Sequence, residues 1–253
     1  MCTILFSWKN HPDYNLILAS NRDEFYRRPT TPAHYWEDQP DILAGKDLIG
    51  GGTWMGVSKN GRFAALTNFR DIEGIDSDAP SRGKLTTDFL TSHISPKEYL
   101  TQIQYSKIPY NPFNLLVGDM NELYYYSNVS QEIIAIAPGI YGLSNGLFDE
   151  SWPKVQKGKL TLSQLITNRV DQPETFLDFL QNKELAADAD LPHTGVPYGM
   201  EKGLSALFIE LPGYGTRCST IILRKEKELH FLEKTYPLEE QQAHLTVEKF
   251  PII

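Results

Sequence analysis

The chain has 253 residues, 41% hydrophobic and 22% charged, which is the composition of a globular protein able to bury a large core. Its formal net charge of −8 disfavours nucleic acid or an anionic membrane surface as the main partner. The N-terminus lacks a basic leader, and no stretch reaches the roughly 18 apolar residues of a membrane span, so we expect a cytoplasmic protein. Only two cysteines and six scattered histidines are present, so we expect no disulfide framework, metal or other cofactor.

The first third of the chain is predicted to form β-hairpins. Two apolar runs, residues 2–8 and 14–21, flank a KNHPD segment whose Asn, Pro and Asp favour a turn. A second hairpin is predicted around Asn60-Gly61, which suits a type I′ turn because both central residues of that turn need positive φ. The three glycines at 50–52 are predicted to form a turn and not a phosphate loop, since neither Lys-Ser/Thr nor a helix follows them.

Helices and strands then follow one another in blocks. Apolar spacing and the helix start at Ser95-Pro96 predict helices near 84–93, 96–104, 152–166 and 173–185. Further strands are predicted at 114–119, 122–128, 132–137, 140–145, 205–212, 215–225 and 228–237. Because a doubly wound fold would alternate single strands with single helices, this order favours an α+β fold with mainly antiparallel sheets. No Pro/Gly/Ser linker divides the chain, so we expect one domain over residues 1–253.

Cys2 is a candidate nucleophile. If the initiator Met1 is removed, as a small second residue favours, a free α-amine and a thiol belong to the same residue. Their ordinary pKa values are about 7.7–8.0 and about 8.5, so the amine is suited to act as general base for the thiol. A cation beside the thiol is expected to lower the thiol pKa by about 1–3 units. The structural alternative is that Cys2 is simply a small buried hydrophobic residue.

The register of the first hairpin brings a cluster of charged residues, 21–24, to Cys2. With the turn centred on residues 12–13, Cys2 lies opposite Asp23, and a shift of one residue places it opposite Arg22. Side chains alternate along a strand, so the even-numbered and odd-numbered residues of the cluster lie on opposite faces. Which carboxylate of the cluster faces Cys2 stays open at this point.

Five segments resemble one known family, in that family's order along the chain. They read MCT, SNRDEF, GGTWMGVSKNGRFAALTNFRD, GLSNGLFDESWPKV and YGTRCSTIIL. The sequence is similar to the NRDE-motif family, also called the transport and Golgi organisation protein 2 family. That family resembles a distant branch of the cysteine-type N-terminal nucleophile hydrolases, which include choloylglycine hydrolases, penicillin V acylases and acyl-CoA:isopenicillin N acyltransferases. The resemblance implies a four-layer αββα sandwich and an enzyme that cleaves or transfers acyl groups at amide bonds.

The resemblance also implies roles for six residues. They are Cys2 as the nucleophile with its amine as base, Arg22 beside the thiol, Asp23 holding the amine, Asn68 in an oxyanion hole, Asn145 near the nucleophile and Arg217 completing the site. The hydrolases read Gly-Arg-Asn-X-Asp, whereas arginine, aspartate and glutamate are consecutive in this chain. Glu24 and Asn21 therefore stay alternatives for part of the aspartate's role.

Structural explanations compete with these roles. Asn68 suits the end of a strand in a turn, and residues 145–146 (Asn-Gly) equally suit a turn. Arg217 is able to form an ordinary ion pair, and the adjacent Cys218 is expected to be buried and inert. The two arginines at 27–28, just ahead of a proline, are expected to be solvated at the exit of the strand.

Two classes of function are compatible with these residues. The first is an amidohydrolase or acyltransferase that acts on a small-molecule amide or thioester through an acyl-Cys2 intermediate. The alternative is a non-catalytic carrier or trafficking factor that binds lipid, acyl-CoA or haem in the same pocket. Haem would need a thiolate or histidine ligand, and no histidine of the sequence stands out for that role.

Overall fold

Two antiparallel β-sheets form the centre of the protein in its computed structural model, which describes residues 2–71, 74–237 and 242–253. The strands are β1 (Cys2–Trp8), β2 (Leu16–Phe25), β3 (Thr30–Tyr35), β4 (Ile42–Asp47), β5 (Met55–Ser58), β6 (Phe63–Asn68), β7 (Phe113–Gly118), β8 (Leu123–Ser127), β9 (Ile133–Ala135), β10 (Gly139–Leu143), β11 (Glu210–Leu211), β12 (Tyr214–Arg224), β13 (Glu228–Thr235) and β14 (His244–Pro251). The first sheet has the order β10-β1-β2-β12-β13-β14, with β11 paired to β12, and the second has β3 to β9 in sequence order.

Helices flank the two sheets. They are α1 (Gly83–Thr91), α2 (Pro96–Gln104), α3 (Pro153–Thr167), α4 (Pro173–Leu180) and α5 (Tyr198–Gly203). The start of α2 is as predicted, because the Ser95 hydroxyl accepts a hydrogen bond from the Glu98 N–H at 3.2 Å. Proline also occupies the first turn of α3 and α4, where its missing N–H costs nothing.

Three apolar cores separate four layers. Phe6 and Leu116 belong to the core between the sheets, whereas their chain neighbours Leu5 and Val117 face outward. Leu5 packs in the core under α3 and α4, and Val117 packs in the core under α1 and α2. This alternation is what a strand with both faces buried requires. The predicted α+β class and the four-layer αββα sandwich are therefore confirmed.

In the first hairpin, the pairing is shifted by one residue from the register that a turn centred on residues 12–13 would give. Cys2 lies opposite Arg22, and β2 continues to Phe25, so the charged cluster lies within the strand and not beyond its end. The extension of β2 has a tertiary reason, since β12 pairs along the other edge of β2 as far as Phe25 and Tyr214.

Other elements differ from the prediction for similar reasons. The strands β3, β4 and β14 lie outside the predicted elements. The strand predicted at 205–212 is confined to β11, because the Phe208 N–H donates to a loop carbonyl and the Ile209 N–H to the Thr216 hydroxyl. The predicted hairpin at 60–61 is present between β5 and β6, but of these two residues only Gly61 has positive φ (80°), so the turn is not type I′.

Candidate active site

A cavity of about 360 Å³ contains Cys2 in its wall, and we call it the Cys2 cavity. Both sheets and the loop before α1 contribute to its lining. Arg22 from β2, Asn68 from the end of β6 and Trp54 line it together with Cys2, and Arg82 lines it at the start of α1. The structure thus brings four of the six implied site residues to one cavity, namely Cys2, Arg22, Asp23 and Asn68.

Arg22 is held in place beside Cys2 by an aromatic ring and two carboxylates. It is only 5% exposed, and its guanidinium carbon lies 4.0 Å from the centre of the Trp54 ring. Its Nη2 is 3.8 Å from Oδ2 of Asp47 and 4.0 Å from Oε2 of Glu24. Directly opposed residues in an antiparallel ladder project to the same face. Cys2 and Arg22 therefore share the face that looks toward the second sheet.

The Cys2 thiol does not have the lowered pKa that a neighbouring cation suggests. Burial raises its pKa and the Asp23 carboxylate adds to this, while the charge of Arg22 and the Asp23 backbone N–H act in the opposite direction. Burial is the larger effect, so the thiol is protonated at neutral pH and needs a base before it can attack. Removal of Met1, which would supply the α-amine as that base, concerns a residue outside the described part of the chain.

Asp23 lies on the opposite face of β2 from Arg22, and it is the carboxylate whose charge raises the pKa of Cys2. It is almost completely buried, and its Oδ1 accepts a hydrogen bond from the Thr216 hydroxyl at 2.7 Å. Burial raises its own pKa, and Lys154 is the cation that most opposes this. Glu24 instead faces the Cys2 cavity, where its Oε1 accepts from the Phe25 N–H.

Asn21, the other alternative for the aspartate's role, forms its side-chain hydrogen bonds outside the candidate site. Its Nδ2 donates to the carbonyl oxygens of Leu180 and Leu207, both at 2.8 Å. Its Oδ1 accepts from the Ser219 hydroxyl at 2.5 Å. These bonds tie the first sheet to the end of α4 and to the segment after α5, and Asn21 does not line the Cys2 cavity.

Asn145 supports Asn68 from outside the cavity. It is fully buried after β10, and its Nδ2 donates to the backbone carbonyl of Asn68 at 2.7 Å. The neighbouring Ser144 hydroxyl donates to the Cys2 carbonyl at 3.1 Å. The pair therefore links the end of β6 to the start of β1, and Asn145 holds a cavity residue instead of lining the cavity.

Arg217 and Cys218 lie in β12, next to the site but not in the Cys2 cavity. Arg217 is the extra residue of a β-bulge, and its Nη1 donates to the carbonyls of Phe25 and Arg28, both at 3.0 Å. These hydrogen bonds stabilise the turn after β2. Cys218 is buried, as predicted, and burial together with the charge of Glu233 raises its thiol pKa well above the ordinary value.

Of the two arginines expected to be solvated, Arg27 is exposed, whereas Arg28 is only partly exposed. Arg28 lines the Cys2 cavity and forms a two-pronged ion pair with Asp47, with Nε to Oδ2 at 2.6 Å and Nη2 to Oδ1 at 3.1 Å. Asp47 also accepts the backbone N–H of Gly50, and 50–52 forms the predicted turn with Gly51 at φ 70°. Although burial raises it, the pKa of Asp47 is lowered overall by Arg28 and the Gly50 N–H.

Comparison with known proteins identifies the family. A family model described as Transport and Golgi organisation 2 matches residues 1–237. The chain belongs to this family. The human Transport and Golgi organization protein 2 homolog is 37% identical to it over 244 residues, which cover 88% of either chain. The resemblance noted in the sequence is therefore confirmed.

Two solved structures are similar to this chain at low identity. A Caenorhabditis elegans N-acylethanolamine-hydrolyzing acid amidase ortholog has a TM-score of 0.49 and 11% identity, with 88% of this chain and 92% of that chain covered. A mutant conjugated bile acid hydrolase from Clostridium perfringens has a TM-score of 0.45 and 12% identity, with 99% and 96% covered.

Lys154 is a residue near the site that the sequence-based reasoning missed. It follows the first residue of α3, is only 3% exposed, and its Nζ has no hydrogen-bond partner among the described residues. Burial lowers the pKa of Lys154 to about 8, against the opposing charges of Asp23 and Cys2. The only signal in the sequence is its place in the SWPKV stretch that resembles the family.

Within the ranges that the structure describes, no group of three or more His, Cys, Asp or Glu side chains is arranged to hold a metal ion. None of the helices formed by these described residues has the length and apolarity needed to cross a membrane.

Proposed function

We propose that the protein is a cysteine N-terminal nucleophile amidohydrolase or acyltransferase that acts on a small-molecule amide or thioester. The observation that carries this proposal is the pairing of Cys2 with Arg22 across the β1–β2 ladder, in the wall of a cavity of about 360 Å³. Cavities of about 300–1,000 Å³ are typical of small-molecule sites. The position of Asn68 in the same lining supports an oxyanion site.

The proposed step begins with removal of Met1. The α-amine of Cys2 takes the thiol proton, and the thiolate sulfur forms a bond to the substrate carbonyl carbon. The C–N bond of an amide, or the C–S bond of a thioester, then breaks, and the leaving group takes the proton from the ammonium. Water or an acceptor amine releases the acyl group from sulfur and restores the thiol.

The raised thiol pKa supports a mechanism that includes a base. A thiol that is protonated at neutral pH gains most from an amine on the same residue, whose ordinary pKa is about 7.7–8.0. The charge of Asp23 on Cys2 supports Asp23 as the carboxylate that holds that amine. The pairing of Arg22 with Cys2 supports a role for Arg22 in stabilising the thiolate or the oxyanion.

The test uses intact mass and acyl labelling of the full chain. We expect mass spectrometry to show loss of Met1, and 4-nitrophenyl acetate to add one acetyl group at Cys2. The adduct should be kept in Cys218→Ala, the matched cysteine control, and be absent in Cys2→Ala. Retention of Met1, equal labelling of both cysteines, or no labelling at all would contradict the proposal and favour a carrier that uses the same cavity.

Two further variants choose between the neighbouring carboxylates. Asp23→Asn should slow acetylation of Cys2 by about 10²-fold or more at every pH if Asp23 orients the amine that acts as base. Glu24→Gln should have a smaller effect, because Glu24 faces the cavity and is not the carboxylate that acts on the thiol. If Glu24→Gln slowed acetylation more than Asp23→Asn did, Glu24 would be the carboxylate that holds the amine.

A further inference from the structure

A buried lysine approaches the candidate site from the side opposite to the Cys2 cavity. Helix α3 packs so closely on the first sheet that a Cβ added at Gly142 in β10 would lie 2.5 Å from Cγ1 of Val155. A Cβ at Gly158 would likewise lie 2.9 Å from Cδ2 of Leu5 in β1. Lys154 precedes Val155 in this tight contact, which explains why its side chain is enclosed.

Lys154 also lines a second cavity. This helix-side cavity of about 290 Å³ is lined by Lys154 together with residues that include Asn182 and Ser205. The Nζ atom is buried and has no hydrogen-bond partner within the described ranges. The side chain therefore borders the helix-side cavity while its ammonium group is shielded.

Four charged or titratable groups act on Lys154 from the elements around it. They are Asp23 in β2, Cys2 in β1, Arg70 after β6 and Glu201 in α5. Arg70 and Glu201 form a buried ion pair with each other, so their charges largely cancel at Lys154. The Asp23 carboxylate is then the main charge that the Lys154 ammonium balances, and Lys154 is in turn the cation that acts most strongly on Asp23.

We propose that Lys154 is a positioning residue that balances the charge of Asp23 and so keeps the α-amine of Cys2 available as a base. This inference rests on the proposed function. A buried carboxylate beside an amine favours the ammonium form of that amine, and an ammonium cannot accept the thiol proton. A second cation on the far side of the carboxylate offsets this effect.

The faces of the first sheet explain why Lys154 acts more strongly on Asp23 than on the Cys2 thiol. Cys2 shares with Arg22 the face toward the second sheet, whereas Asp23 lies on the face toward α3. The α-amine of a strand's first residue is a main-chain atom in the plane of the sheet. Asp23 is thus placed to contact it from the helix side while the thiol lies on the cavity side.

The experiment follows the pH dependence of Cys2 alkylation by iodoacetamide in a Cys218→Ala background. We expect Lys154→Met to move the midpoint of the rate profile up by about one pH unit, which is a loss of about tenfold at neutral pH. Lys154→Arg keeps the charge and should stay near the parent profile. Lys159→Met is the matched control, because Lys159 lies on the same helix but pairs with Asp149.

A double variant separates this role from a structural one. In Asp23→Asn, the charge that most favours the ammonium form of Lys154 is gone, so burial leaves Lys154 neutral. The further change Lys154→Met should then leave the midpoint where it is. An unchanged midpoint in Lys154→Met alone, or a uniform loss of rate at every pH, would overturn the role of Lys154. Failure of the parent protein to lose Met1 or form an acetyl-Cys2 adduct would instead defeat the proposed function itself, so the two failures are distinguishable.

Discussion

Gly45→Ala tests whether the Trp54 ring fixes Arg22 beside the candidate nucleophile. Gly45 is a buried residue of β4 that does not line the Cys2 cavity. A Cβ at this position would lie 2.5 Å from Cζ2 of Trp54 and closer still to Cη2. Since carbon atoms in contact are about 3.5–4.0 Å apart, the indole ring has to move by about 1 Å. The ring carries the Arg22 guanidinium at 4.0 Å, so the cation has to move as well.

Two free energies set the expected size of the effect. Overpacking of this kind typically costs about 1–3 kcal/mol of stability. The loss of a buried cation–π contact adds about 0.5–2 kcal/mol. Because the charge of Arg22 lowers the pKa of the Cys2 thiol, displacement of the guanidinium should raise that pKa further and slow alkylation at neutral pH. Each unit of pKa corresponds to about tenfold in thiolate concentration.

The assay combines thermal unfolding with the rate of Cys2 alkylation in the Cys218→Ala background. Gly56→Ala is the matched control, because its Cβ would lie 2.8 Å from Cβ of Ala44 and 3.0 Å from Cδ1 of Leu90, in the core under α1. Both variants should melt at lower temperature, and only Gly45→Ala should react more slowly while folded. Equal alkylation rates in the two folded variants would refute the positioning of Arg22 by Trp54.

Two further predictions concern groups around the site. Arg217→Met should lower the free energy of unfolding by about 1–3 kcal/mol, because the carbonyls of Phe25 and Arg28 lose a charged donor. The turn after β2 should then become sensitive to limited proteolysis. Slower labelling of Cys2 without a change in melting temperature would contradict this structural role. The pKa of Asp47 is below its ordinary value of 3.8, because Arg28 and backbone N–H groups outweigh the effect of burial. The ionised carboxylate therefore stabilises the fold above pH 3.8, and this stabilisation is lost as the pH falls through the lowered pKa. The stability difference between the parent and Asp47→Asn, measured by denaturant unfolding, should therefore shrink between about pH 5 and about pH 2, and a constant difference would be evidence against the ion pair.

Local patterns in the sequence were enough for most of the fold. Two-residue alternation and the KNHPD turn predict the first hairpin, and the register follows to within one residue because a hairpin's pairing is set by its turn. Helix-period apolar spacing and the Ser95-Pro96 start predict the helices that cover the sheets. The placement of Cys2 beside Arg22 is in this sense a property of the first 25 residues, where the contact is local in the chain.

The rest of the candidate site depends on contacts between distant segments. Nothing near Lys154 in the sequence shows that α3 packs closely enough on β1 and β10 to bury its ammonium group beside Asp23. The family resemblance implies a catalytic role for Arg217, yet the bulge in β12 turns this side chain onto the carbonyls of the turn after β2. The pKa of the Cys2 thiol also depends on the tertiary structure. The sequence shows the neighbouring cation that lowers this pKa, but the burial that raises it by more exists only in the folded chain.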